Sequence, residues 1–368
     1  RADAMKVFDT PVALILFNRP ERLADVVSAI RKTRPRRLVA IADGPRADHP
    51  EDVDRCRAAR AVLDAIDWPC EIERDFADTN LGCDRRVRTG LDRLFDRHDR
   101  AIVVEDDVRP DPSFLPWAAA MLDRYGTDPD FAIASGCNKL GRWGDPALDH
   151  LRARRGSIWG WASTAEVWRD VWGSDPAGLE ANLEDDALLD GHEPLMIRQS
   201  RLVFDDIRAG HAIAWDTEFS ARLQLMGRIA AISTVNLVSN LGIGADATRT
   251  TYAGDFVATI ASTGVAAPPS DVRPELDPAY DRASLLAELL GRCVHPEMAV
   301  RLARLAVENP RAPIDEATRL HLEPFMVPGE ALEVTDRLAD HGVRSPQFER
   351  VRAALRRARD LQTTERSP

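Results

Sequence analysis

The chain has 368 residues, long for one domain and enough for two, and its 44% hydrophobic content can build a sizeable core. A formal net charge of −11 argues against a sequence-independent hold on nucleic acid, which needs a surplus of Lys and Arg. The longest apolar runs fall far short of the roughly 18–20 residues that cross a bilayer, so no transmembrane segment is expected.

The start of the chain, RADAMKVFDTP, lacks the apolar centre of a signal peptide. Five scattered cysteines (Cys56, Cys70, Cys83, Cys137, Cys293) show no close zinc-type spacing. They read as reduced thiols of a cytoplasmic protein.

In chain order, Val12–Phe17 (VALILF) is the first strand. Pro20 stands in the first turn of a helix, where Pro is well placed. Leu23, Val26, Val27 and Ile30 then follow at the spacing of one buried helical face. Leu38–Ala42 is the second strand and ends in the turn Asp43-Gly44-Pro45. A helix is expected over 50–66, a short strand over Cys70–Glu73, and a helix marked by Val87, Leu91, Leu94 and Phe95. The alternation βαβαβαβ implies parallel strands with helical crossovers. Neither common glycine-rich phosphate loop is present.

The next stretch, Ala101–Pro110 (AIVVEDDVRP), organises the rest. Its continuous apolar run reads as a strand buried on both faces. Glu105, Asp106 and Asp107 then stand at the carboxyl end, the edge of an open parallel sheet where ligands bind. Adjacent carboxylates repel one another unless a cation neutralises them. Mg²⁺ or Mn²⁺, held by one or two carboxylates and substrate phosphates, fits such a cluster. An acidic turn in water is the plain alternative.

Phe114, Trp117, Met121 and Leu122 mark a further helix, and Phe131–Ser135 a strand. Residues 139–165 break the alternation and read as a long irregular segment suited to a lid or binding loop. Within it, Trp159 and Trp161 are core anchors or a platform for a sugar ring, and a mixture is expected, one packed and one lining a cleft. Helices are expected near 164–172 and 194–209, and another from Ala214 to Met226. Asp216 and Glu218 near its start either meet the helix dipole or include a general base. Ile229–Val235 is a last strand, followed by the polar loop NLVSNLGIGADATRT over 236–250.

Taken in order, FNRPERL, DGP, Asn80-Leu-Gly-Cys83, VVEDD, GWAS, Trp215-Asp216 and NLGIGADAT resemble bacterial glycosyltransferases of the nucleotide-diphospho-sugar transferase superfamily. The resemblance covers about residues 10–252. It includes similarity to N-acetylglucosaminyltransferase I-type and family 2-like enzymes. It implies an α/β fold of the GT-A type with a mostly parallel sheet. It also implies metal-dependent, inverting transfer of a sugar from a UDP- or GDP-sugar to an acceptor hydroxyl.

Carried over by position, the resemblance assigns Pro11, Phe17, Asn18, Arg19 and Asp43 to the nucleotide. It assigns Arg86 to the nucleotide as well, against a solvated helix face shared with Arg85 and Arg88. Asp107 becomes the metal ligand for Mn²⁺ or Mg²⁺, with Asp106 and Glu105 on the donor. Asp216 becomes the base, with Glu218 in reserve, and Trp159 and Trp161 face the acceptor. Relatives often carry a His where this chain has Arg249. A guanidinium offers no lone pair to a metal, so Arg249 would grip the diphosphate instead.

The segment Ala266-Ala-Pro-Pro-Ser-Asp reads as a linker. It divides a transferase domain (1–265) from an all-α extension (266–368) with helices over 283–292, 297–308, 314–323, 329–341 and 346–361. That extension either caps the domain or serves as a homodimer contact or acceptor-protein module. Two other functions stay open. One is a non-catalytic nucleotide-sugar or glycan-binding protein on the same scaffold. The other is a nucleotidyltransferase, which would carry a glycine-rich, basic first loop where this chain has Phe17-Asn18-Arg19-Pro20.

Overall fold

The computed structural model describes residues 8–185, 189–242, 255–264 and 271–365. Arg249, most of the NLGIGADATRT loop and the expected linker over 266–270 lie outside the described residues.

The first half follows the expected alternation. Strands β1 (Val12–Leu16), β2 (Arg37–Ala42), β3 (Glu71–Phe76) and β4 (Arg100–Glu105) are separated by helices Pro20–Ile30, Glu51–Ala61 and Cys83–Arg97. They lie parallel in the order β3-β2-β1-β4, with Val12 of β1 registered against Leu38 on one side and Ile102 on the other. Val12, Ala13 and Leu14 are fully buried, as strands covered on both faces must be. β3 reads EIERDF and stands at the sheet edge, where charged side chains discourage pairing with another chain.

The second half departs from the expectation. Chain order continues through β5 (Val108–Pro110), helix Phe114–Tyr125, β6 (Phe131–Ser135), β7 (His150–Ala153), β8 (Trp161–Thr164), β9 (Ile229–Ser233) and β10 (Val238–Asn240). The sheet completes as β4-β8-β6-β9-β7, so it is mixed and mostly parallel. β8 runs antiparallel to both β4 and β6, and β7 runs antiparallel to β9. Both arise inside the stretch expected to be irregular. Four residues are too few for periodicity to reveal. β5 and β10 pair separately as a short antiparallel ribbon.

Helices Ala165–Gly173 and Trp215–Leu225 pack an aromatic cluster over the sheet. Phe219 lies 5.4 Å from Trp168 and 5.7 Å from Trp161, centroid to centroid.

Five helices follow at Pro278–Gly291, Pro296–Glu308, Glu316–Met326, Pro328–Asp340 and Pro346–Glu365. They share one continuous core with the sheet. Tyr280, 1% exposed, meets Trp143 edge-on at 6.1 Å. Asp277 accepts a hydrogen bond from the Trp143 indole at 2.8 Å. The buried carboxylate of Asp281 accepts from the backbone amides of Arg154 at 3.1 Å and Arg155 at 2.8 Å. Phe256 and Phe348 stack edge-on at 5.0 Å. Among the described residues, no helix is long and apolar enough to cross a membrane.

Candidate functional site

Strands β1, β2 and β4 deliver their carboxyl ends to one edge of the sheet, and a cleft of about 650 Å³ opens there. Phe17 and Arg19 after β1, Asp43 after β2, and Glu105–Asp107 at the end of β4 line it. This is the edge at which open α/β sheets bind ligands, because the loops leaving parallel strands cluster there.

The three acids are held differently from one another. Asp106 is buried, and its Oδ2 accepts from the Phe17 amide at 2.9 Å. Burial and the neighbouring Asp107 carboxylate push Asp106 up to about 7. Burial likewise raises Glu105 well above the usual carboxylate range, and the charges of Asp107, Asp106 and Asp216 add to it. Arg19 supplies compensating charge: its guanidinium pairs with Asp107 Oδ2 and lies 3.7 Å from Asp106 Oδ1. The β5–β10 ribbon brings Leu241 over the cluster, with its amide donating to the Asp107 carbonyl at 2.6 Å. A Cβ on Gly242 would stand 2.2 Å from Asp107 Oδ2, so only glycine lets the chain pass this close to the carboxylate.

Among the described residues, no three His, Cys, Asp or Glu side chains converge as a metal site. The donor set therefore does not suit a cage made of protein ligands alone. It does suit Mg²⁺ or Mn²⁺ held by one carboxylate, Asp107, and completed by phosphate oxygens.

Asp43 is committed to shaping the cleft. Its carboxylate accepts from the amides of Gly44 (2.8 Å), Leu81 (2.9 Å) and Gly82 (3.1 Å) and from Asn80 Nδ2 (3.1 Å). Four donors fill its acceptor sites, and the result is a fixed 80–82 turn at the start of helix Cys83–Arg97. Gly82 takes φ 81° there, a conformation natural to glycine.

Arg86 lines the cleft but points inward, and its helix face is not solvated at that position. Its Nε donates to the Ala42 carbonyl at 3.0 Å, and Nη2 pairs with Asp75 at 3.1 Å. It thereby ties the carboxyl ends of β2 and β3 to the helix. Asn18 lies beside the cleft and donates to Asp52 Oδ1 at 2.7 Å. Asp52 is fully buried, and Arg46 first and Asn18 second hold its carboxyl down at about 2. Arg46 reaches into the cleft and lies 5.6 Å from the centroid of the Phe17 ring. Pro11 is elsewhere: it precedes β1 and accepts from the Ile102 amide at 2.9 Å, about 16 Å of strand away from the cleft edge.

Helix Trp215–Leu225 separates the two base candidates. Asp216 lines the cleft, at the helix's first turn, with Trp215 anchored by Asp84 accepting its amide at 2.8 Å. Glu218 points the other way and pairs with Arg222 at 2.7 Å, which in turn donates to the Ser174 carbonyl. The two tryptophans divide as well. Trp159 lines the cleft, whereas Trp161 is 1% exposed within the aromatic cluster, so an acceptor contact is open to Trp159 alone of this pair.

The remaining wall was not foreseen. Lys139 after β6, Asp255 and Val257, and Glu288, Arg292 and Val294 at the end of helix Pro278–Gly291 also line the cleft. Glu288 takes ion pairs from Lys139, Arg155 and Arg292. Nothing local marks these residues, since they lie up to 150 positions from the residues they join. No protein-family model matches the chain, and no curated protein sequence matches it.

Proposed function

We propose that the chain is a GT-A-type glycosyltransferase that moves a sugar from a nucleoside-diphosphate donor to an acceptor hydroxyl. One observation carries the proposal: a single cleft at the carboxyl edge of the sheet holds both the Glu105–Asp107 cluster and Asp216. A transferase needs an electrostatic partner for the departing diphosphate and a base for the incoming hydroxyl.

Asp107 would hold Mn²⁺ or Mg²⁺ together with the donor phosphates. The ion supplies Lewis-acid stabilisation of charge on the leaving diphosphate. Arg19 moves off Asp107 when the donor arrives, and its guanidinium is then placed to pair with a phosphate. Asp106, held by the Phe17 amide, orients the donor, and Phe17 with Arg46 offers a face for the nucleobase. The acceptor oxygen attacks the anomeric carbon as the bond from that carbon to the diphosphate oxygen breaks. The acceptor proton passes to Asp216, the electron pair leaves on the diphosphate, and the configuration inverts.

A second reading, a non-catalytic binding protein, is favoured by the existing pair between Arg19 and Asp107, which neutralises the acid without a metal. A panel of UDP- and GDP-sugars with Mn²⁺ decides between them. Hydrolysis or transfer supports the enzyme, and thermal stabilisation without turnover supports the binding protein. No response to any nucleotide sugar refutes both.

A further inference from the structure

The wall supplied by the C-terminal helices differs in charge from the strand edge. Three cations converge on one carboxylate. Lys139 and Arg155 meet Glu288 Oε2, and Arg292 Nη2 meets Oε1 at 2.9 Å. Burial opposes the charge on Glu288, yet Arg155, Lys139 and Arg292 hold its carboxyl well below the usual range. Asp255 is the other acid on this wall, and burial pushes its pKa up. Asp281, against Arg155, is a third acid nearby, so among the described residues the cluster is balanced or carries at most one positive charge beyond its acids.

Fastening a helix needs one cation per carboxylate. Three cations on one carboxylate leave N–H donors that a further anion can engage. The donors are also poised for one. The Arg292 side chain is 56% exposed although it pairs with Glu288, Lys139 lines the same wall, and Arg155 lies behind them with its guanidinium on Glu288 and Gln199. An arginine fork beside a lysine point charge suits phosphate or carboxylate oxygens.

Sheet order says which end of the cleft this is. β4 carries the acids. β1 and β2, with Phe17 and Asp43, lie on one side of it, and β8 and β6, the strand before Lys139, lie on the other. Two strand steps of about 4.8 Å separate β4 from β6. The cluster thus stands across the acids from Phe17 and Arg46, the proposed nucleobase contacts, on the side of Trp159.

We infer that Lys139 and Arg292, with Arg155 behind them on Glu288, form an anion subsite of the cleft, which takes a phosphate or carboxylate carried by the acceptor. The assignment to the acceptor rests on the transferase reading, whereas the anion binding itself does not.

The test is calorimetry on the full chain in EDTA with glucose 6-phosphate, glucuronate and glucose. In EDTA no metal can bridge an anion to Asp107, and variants of Arg292 and Lys139 say whether the remaining binding lies at the basic wall. At least one of the two anions should bind at least tenfold more tightly than glucose, and its identity separates phosphate from carboxylate. Arg292→Gln, at an exposed position, should weaken that anion at least fivefold, and so should Lys139→Met. Arg357→Gln, at a half-exposed arginine of helix Pro346–Glu365, should leave it within twofold. Saturating UDP or GDP with Mn²⁺ should not displace it. Equal binding of all three probes overturns the subsite, and so does wild-type affinity in Arg292→Gln. Competitive displacement by the nucleotide would give the wall to the donor diphosphate and overturn the acceptor assignment. None of these measurements contains a transfer step, so they fail or succeed separately from the transferase proposal.

Discussion

Asp281→Ala tests whether the C-terminal helices and the cleft are one cooperative structure. Asp281 belongs to helix Pro278–Gly291, yet its buried carboxylate accepts the amides of Arg154 and Arg155, more than 120 positions away. Alanine leaves both buried amides without an acceptor. Each orphaned amide costs about 1–3 kcal/mol, so the variant should lose about 2–6 kcal/mol. For a chain of this size that corresponds to a fall in melting temperature of roughly 3–8 °C. Asp281→Asn is the companion, because its one amide oxygen still accepts from one of the two backbone amides, which the carboxylate takes on separate oxygens. Burial pushes the Asp281 carboxyl up to about 6, from an ordinary 3.8. The native state therefore prefers the protonated form. That preference stabilises the wild type fully below about pH 4 and is lost as the pH rises through 6. Asparagine does not titrate, so the stability of wild type relative to Asp281→Asn should fall by on the order of 2 kcal/mol between pH 4 and pH 7. Urea and thermal unfolding, followed by far-ultraviolet circular dichroism and tryptophan fluorescence, measure both effects. A loss below 1 kcal/mol in Asp281→Ala would refute the reasoning. So would two separate transitions of which only one moves.

Removing everything after residue 265 should give insoluble or molten protein, judged by near-ultraviolet circular dichroism, because Trp143 and the backbone at Arg154 and Arg155 lose their partners; a folded, nucleotide-binding product would show that the helices are dispensable. Asp107→Asn should abolish the Mn²⁺-dependent part of UDP or GDP binding by calorimetry while the fold survives, and equal wild-type affinity in EDTA and Mn²⁺ would remove the metal from the scheme. Asp216→Asn should lower single-turnover transfer by roughly two to four orders of magnitude, the usual worth of a positioned base, with nucleotide affinity nearly unchanged. Glu218→Gln should instead lower the melting temperature by releasing the buried Arg222, with a rate close to wild type; the opposite pattern would exchange their roles.

Much of the fold was legible locally. VALILF, LVAIA and AIVV are continuous apolar runs, and helices Pro20–Ile30 and Cys83–Arg97 carry their own periodicity, so most of the order and type of the first seven elements follows from short-range physics. The position of Glu105–Asp107 at a carboxyl edge follows from the same pattern. Asp216 could be placed at a helix start, but its separation from Glu218 could not. Two residues along a helix turn a side chain by about 200°, and only packing says which face is the cleft.

What tertiary structure decided was long-range. β8 enters between β4 and β6 in the antiparallel sense, and four residues hold no record of that partner choice. The same insertion buries Trp161 while Trp159, two residues earlier, faces the cleft. Arg86 read as one of several arginines on a helix until β2 and β3 offered it Ala42 and Asp75. Lys139, Glu288 and Arg292 look like ordinary surface charges in the chain, and only the docking of helix Pro278–Gly291 against the strand ends makes them a wall. Periodicity and turn chemistry act over a few residues and are written where they act. Sheet order, side-chain direction and charge convergence depend on contacts between distant segments, and those exist only once the core has formed.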